Sequence, residues 1–122
     1  MDANELRVDN WITDVYAPEG KMFQVKEIHK IRCIYGNALL VSKYENLKPI
    51  PLSPEILEKC GFVYRNEHRG VGCIMDLGNI ASVGILENGF RYLLLWQAPL
   101  KYLHQLQNIY FAHFGEELTF KQ

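Results

Sequence analysis

Apolar and polar positions along the chain fall into two successive blocks, each a set of strand-like segments followed by a helix-like one. In the first block, Asn10 to Tyr16 places Trp11, Thr13 and Val15 on one side of the backbone, the period of two that predicts a strand. Ala17-Pro18-Glu19-Gly20 reads as a turn, with glycine supplying a positive φ. Met22 to Tyr35 predicts one long strand whose alternation slips near Ile28, the mark of a bulge or strong bend. Gly36-Asn37 then predicts a two-residue hairpin that sets Tyr35 opposite Ala38 and Ile34 opposite Leu39, leading into a strand over Ala38 to Ser42. Lys48-Pro49-Ile50-Pro51 lacks two backbone donors and reads as a linker, unfit for a central strand. Ser53-Pro54-Glu55 opens a short helix: serine caps it, proline fits its first position, and a carboxylate faces the positive end of the dipole. Ile56, Leu57 and Cys60 turn inward, and Gly61 ends the helix.

The second block predicts three strands, Gly72 to Leu77, Ile80 to Glu87 and Phe90 to Gln97, joined by Gly78-Asn79 and Asn88-Gly89. The run Tyr92 to Trp96 is apolar on both faces, which predicts a central strand. From Pro99 to Phe114, Leu103, Leu106, Ile109, Tyr110 and Phe114 recur at helical spacing, with Lys101, His104, Gln105, Asn108 and Ala112 forming the polar face. Gly115 closes this helix, and Leu118 to Phe120 predicts a short edge strand. The expected fold is α+β: two antiparallel β-meanders, each followed by a helix, packed as one compact domain over residues 1–122. Within it, residues 6–61 form the first meander and short helix, and 62–122 the second meander and amphipathic helix.

Composition narrows the partners. Apolar residues make up 48% and charged residues 22%, a globular balance that predicts order nearly throughout. The net charge of −1, without a run of like charge, argues against neutralising a nucleic-acid backbone and permits a homo-oligomer. Cys33, Cys60 and Cys73 include no C-x-x-C pair and no histidine at ligand spacing, so reduced thiols are expected, with no metal and no cofactor. The opening MDANELRVDNW has no basic and apolar leader, and no apolar run reaches membrane-spanning length. A cytoplasmic protein of a bacterial host is the corresponding expectation, the bacterial setting coming from the resemblance described next.

Three phrases together carry a resemblance: Leu6-Arg7-Val8-Asp9-Asn10-Trp11, Pro49 to Leu57 with Gly61-Phe62, and Tyr102 to Phe111. In this order they resemble a group of short uncharacterised proteins encoded by phages and mobile elements of Bacteroides and related gut bacteria. The resemblance does not extend over Val63 to Trp96, and it implies an origin without implying an activity. The opening strand and hairpins also look like the start of a small SH3-like barrel, a fold analogy that leaves function open.

Candidate chemistry is sparse. Tyr64, Arg65, His68 and Arg69 lie in a polar, glycine-bearing loop, where guanidinium groups can fork onto a phosphate and glycines let backbone N–H groups approach it. The Gly-Lys-Ser/Thr ending of a P-loop is absent. His104, Gln105 and Asn108 form a second polar group able to meet a partner or a base edge, and Trp11 and Tyr64 are the aromatics expected to be most exposed. Asp9, Asp14 and Asp76 have no evident partner, and Glu116-Glu117 read as solvated. No triad, metal motif or carboxylate pair is legible, so no catalytic residue is assigned and an enzyme is not expected. The leading expectation is a protein-interaction module that engages a host or virion protein through an exposed aromatic patch. The alternative is a binder that sequesters a small anionic nucleotide signal of host defence, with Arg65, His68 and Arg69 on its phosphates.

Overall fold

The structure is a computed structural model that describes residues 1–93 and 98–122. It contains two five-stranded antiparallel sheets and two α-helices, the α+β architecture expected. The strands are β1 (Trp11–Asp14), β2 (Phe23–Ile28), β3 (Arg32–Tyr35), β4 (Leu40–Lys43) and β5 (Leu47–Lys48), then β6 (Val63–Tyr64), β7 (Ile74–Leu77), β8 (Ala81–Leu86), β9 (Gly89–Tyr92) and β10 (Ala98–Leu100). The helices are α1 (Pro54–Lys59) and α2 (Leu103–Phe114). By contacts the chain forms two units: residues 1–50 with 102–117, and residues 51–101 with 118–122. Chain order alone does not give this grouping, because the first sheet shares its unit with α2 and the second sheet with α1.

In the first unit the strand order is β4-β3-β2-β1-β5, so the chain turns back and its fifth strand joins its first. A 3-10 turn, Tyr44–Asn46, makes this return, and β5 then pairs antiparallel with β1 through Thr13–Lys48 and Asp14–Leu47. Pro49 follows at once, which confines this stretch to a sheet edge, as its missing donors require. Inward-facing residues Ile12, Val25, Cys33, Tyr35 and Leu47 form the core with Leu6 and Tyr44. The single strand expected from Met22 to Tyr35 is instead β2 and β3, joined by a reversal over His29–Ile31 in which the His29 N–H donates to the Arg32 carbonyl. That turn carries no glycine, proline or asparagine, so local signals did not mark it. The expected phase slip is present as a bulge between Val25 and Glu27, where the register against β3 shifts.

The Gly36-Asn37 hairpin also differs from its expected form. Tyr35 pairs with Leu40 and Ile34 with Val41, so residues 36–39 form a longer loop with Gly36 and Leu39 at positive φ. The register moves by two, which keeps every side chain on its expected face.

In the second unit the order β10-β9-β8-β7-β6 is a simple meander. Leu77 pairs with Ala81, which leaves Ile80 in the turn, and Leu86 pairs with Gly89, which makes Glu87-Asn88 the turn in place of Asn88-Gly89. The predicted Phe90 to Gln97 strand is present as β9 up to Tyr92; the expectation for residues 94–97, including Trp96, lies outside the described residues. Helix α1 has the cap read from sequence: the Ser53 hydroxyl accepts the Ile56 N–H at 3.1 Å. At its far end the Phe62 N–H donates to the Leu57 carbonyl and the Gly61 N–H to the Glu58 carbonyl, a Schellman closure around Gly61 at φ +95°. Leu118 to Phe120 forms no strand; Leu118 is buried without joining a sheet.

Helix α2 starts later than Pro99, because Ala98–Leu100 pairs with β9 as β10. It ends at Gly115 in the left-handed conformation, as expected. Its buried face is Leu103, His104, Leu106, Gln107 and Tyr110, so the inward stripe includes two polar side chains. Among the described residues no helix is long and apolar enough to cross a membrane.

Candidate functional site

The residues singled out in the sequence divide between the two units. In the second, Arg65 and Asp76 form a bidentate pair, with Nε and Nη2 each donating to a carboxylate oxygen at 2.9 Å. Ser82 donates to the same carboxylate at 2.6 Å. These bonds, that of Arg65 first, hold the Asp76 carboxyl below its ordinary pKa. Asp76 therefore has a partner, and the Arg65 charge is already matched. The Arg69 guanidinium lies over the Tyr64 ring, 4.4 Å from its centroid, a cation–π arrangement. His68 is exposed, and its carbonyl accepts the Cys73 thiol. The two guanidinium groups expected on one anion are thus engaged separately, one on a carboxylate and the other on a ring.

The predicted polar face of α2 is divided: Lys101 and Ala112 are exposed, Gln105 is half-buried and His104 is buried, and Gln107, outside that face, is buried as well. His104 is 2% exposed and Gln107 1%, and Asn108 is half-buried. Gln107 accepts the Trp11 N–H at 2.8 Å and donates to the Asp9 carbonyl, holding the start of β1 and the turn before it, 96 and 98 positions away in sequence. Asn108 accepts from Arg7 Nε and from the Asn10 side chain, and donates to the Glu5 carbonyl. Arg7 also pairs with Glu117 and lies over the Phe111 ring. Gln105 closes the helix start by accepting the Tyr102 N–H. Gln105 and Asn108 thus bond within their own unit and do not form an open recognition face. His104 stacks on Tyr102 with centroids 5.9 Å apart, and neither ring nitrogen has a hydrogen-bond partner. Burial lowers its pKa, against a weaker opposite pull from Glu5.

Trp11 and Tyr64, expected as the exposed aromatics, are both half-buried within strands. Among the described residues Tyr16, at 77% exposed, is the aromatic most open to water, and Phe111 is exposed as well. Asp14 is buried and accepts the Tyr35 hydroxyl at 2.7 Å. The Tyr35 phenol is pushed up to about 12, first by burial and then by this carboxylate.

A feature not singled out in the sequence is the free edge of the first sheet. Strand β4 ends the strand order and pairs only with β3. Leu40 and Val41 of β4 are 39% and 58% exposed, and Leu39, the last residue of the hairpin loop, is 60% exposed, so an apolar run leads from the loop into the edge strand. Edge strands turn alternate N–H and C=O groups away from their sheet, and natural proteins usually blunt such edges with charge, proline or a covering element. Here the closing charge is Lys43, directly opposite Arg32. The sequence signal was present, since Ala-Leu-Leu-Val is apolar without alternation, but which strand occupies an edge is decided by tertiary pairing.

Among the described residues no group of three or more His, Cys, Asp or Glu side chains is gathered as a metal site. The chain matches no family model, and searches of curated proteins and of solved structures returned no significant match.

Proposed function

We propose that the chain is a non-enzymatic protein-interaction module that captures an extended segment of its partner by strand addition at β4. One observation carries this reading: Leu40 and Val41 stand exposed on the open edge strand of the first sheet, with Leu39 exposed in the loop just before them. In strand addition, backbone hydrogen bonds supply affinity and alternate side chains supply selection. The edge offers both, with Val41 on the face shared with Ile34 and Leu40 on the face shared with Tyr35. For a protein of phage or mobile-element origin, the partner would be a host or virion protein.

The test is selection from a displayed library of random octapeptides, followed by binding to Val41→Pro and Ser42→Pro. Neighbouring strand residues face opposite edges with their N–H groups, so one of these prolines removes an outward donor and leaves the β3 ladder intact. Circular dichroism identifies which variant keeps its fold. The selected peptides are expected to bind the wild-type chain and to lose binding to that variant. Equal binding to both would refute strand addition.

A further inference from the structure

Resting on the reading of β4 as a capture edge, we infer that the partner segment runs antiparallel to β4 and carries an acidic residue, then any residue, then two apolar residues. The argument starts from charge. Arg32 and Lys43 are direct cross-strand partners on β3 and β4, and both are exposed. Like charges placed directly opposite on a sheet repel. Neither side chain makes an ion pair or hydrogen bond to any carboxylate; the first unit's Arg7 and His29 pair with Glu117 and Glu27 instead. Two cations therefore stand together without a counter-charge, beside an exposed apolar run.

The surroundings add no net cation, but they do not pair Lys43 either. A shallow hollow of about 500 Å³ at the same end of the sheet is lined by Lys30, Ile31, Lys43 and Tyr44, with Asp2 and Glu45 on its wall. Those two carboxylates form no ion pair with either lysine.

Register turns these facts into a pattern. Lys43, Arg32, Val41 and Ile34 share one face of the sheet, since Lys43 opposes Arg32 and Val41 opposes Ile34. A strand added antiparallel to β4 meets Lys43 first, then Ser42, Val41 and Leu40. An acidic side chain opposite Lys43 lies on the same face as both cations and relieves their repulsion. The residue opposite Ser42 is unconstrained. Apolar residues opposite Val41 and Leu40 cover the exposed run, one on each face. All strand pairs in both sheets are antiparallel, which sets the orientation chosen. A second copy of this chain fits less well, because its own β4 brings a further Lys43 and no acid.

The experiment uses the octapeptides selected on the wild-type chain, compared with a second selection on the Arg32→Glu, Lys43→Glu double variant. Affinities are read by fluorescence polarisation, and the mass of each protein alone by sedimentation. The wild-type chain is expected to enrich Asp or Glu two positions before the first of two apolar residues. Peptides so selected are expected to bind the double variant about tenfold more weakly, as each contact changes from attraction to repulsion. The variant's own selection should favour Lys or Arg at that position. Peptides that are sensitive to the edge proline yet show no acidic preference would overturn the charge pattern while leaving strand addition standing. Peptides insensitive to the proline, or no enrichment at all, would overturn both. A dimer formed by the chain alone and abolished by the edge proline would assign the edge to a second copy and overturn the acidic partner.

Discussion

Replacing His104 by leucine should make the protein more stable, although it removes a fully buried side chain. The imidazole is 2% exposed, and both ring nitrogens lack partners. A buried polar group left unpaired costs about 1–3 kcal/mol, so two such groups cost roughly 2–6 kcal/mol. Leucine removes both. Loss of the stack on Tyr102 returns about 0.5–1.5 kcal/mol, and imperfect shape up to about 1.5 kcal/mol. The net expectation is a gain of about 1–3 kcal/mol near pH 7.5, or roughly 3–5 °C in Tm per kcal/mol for a chain of this size. The pH dependence provides an independent check. The free imidazole takes up a proton near pH 6.5, and burial lowers that value in the folded state. Below about 6.5 the unfolded chain therefore binds more protons than the folded one, and stability falls as the pH falls toward the folded value. His104→Leu should flatten that limb. The assay is urea unfolding followed by circular dichroism at several pH values from 4.5 to 8. A loss of more than about 1 kcal/mol at pH 7.5, or an acid limb identical to wild type, would refute the reasoning.

Three further outcomes are expected. Leu39→Gly relieves a left-handed backbone at φ 55° and should gain up to about 1 kcal/mol in unfolding experiments, while weakening capture of selected peptides. Gln107→Leu strips the Trp11 N–H of its acceptor and should cost about 1–3 kcal/mol, with faster amide exchange at Trp11. Alkylation of the native protein at pH 8 should label Cys73 first, because burial pushes the Cys33 thiol to about 11 and the Cys60 thiol to about 12; intact mass should show one adduct before denaturant and three after.

How much of this was legible in the sequence follows the range of the interactions involved. Helix α1 was readable because its start and stop are local: a serine cap, a proline at the first position and a glycine just past the end. The Gly36-Asn37 hairpin, off by two in register, kept its faces, since alternation fixes parity while the turn fixes register. The reversal at His29–Ile31 was hidden because tertiary pairing imposes it without turn chemistry. Helix α2 was correctly amphipathic in outline, but its polar face included His104, and neither face included Gln107. Their burial depends on loop carbonyls and N–H groups nearly a hundred positions away for Gln107, and on packing without polar partners for His104. Arg65 looked like an anion ligand because Asp76, eleven residues on, approaches it only once β6 and β7 pair.

The grouping of α2 with the first sheet has a consequence for synthesis on the ribosome. Residues 1–50 can begin to pair as they emerge, but the side chains that fix Asp9, Asn10 and Trp11 belong to Gln107 and Asn108. At roughly 5–20 residues per second the intervening stretch takes about 3–10 s to make. Throughout that interval the nascent first sheet carries a second unsatisfied surface besides β4, one that only α2 can close. A chaperone that shields apolar nascent chain has its window there, and a pause placed between residues 51 and 101 would lengthen it.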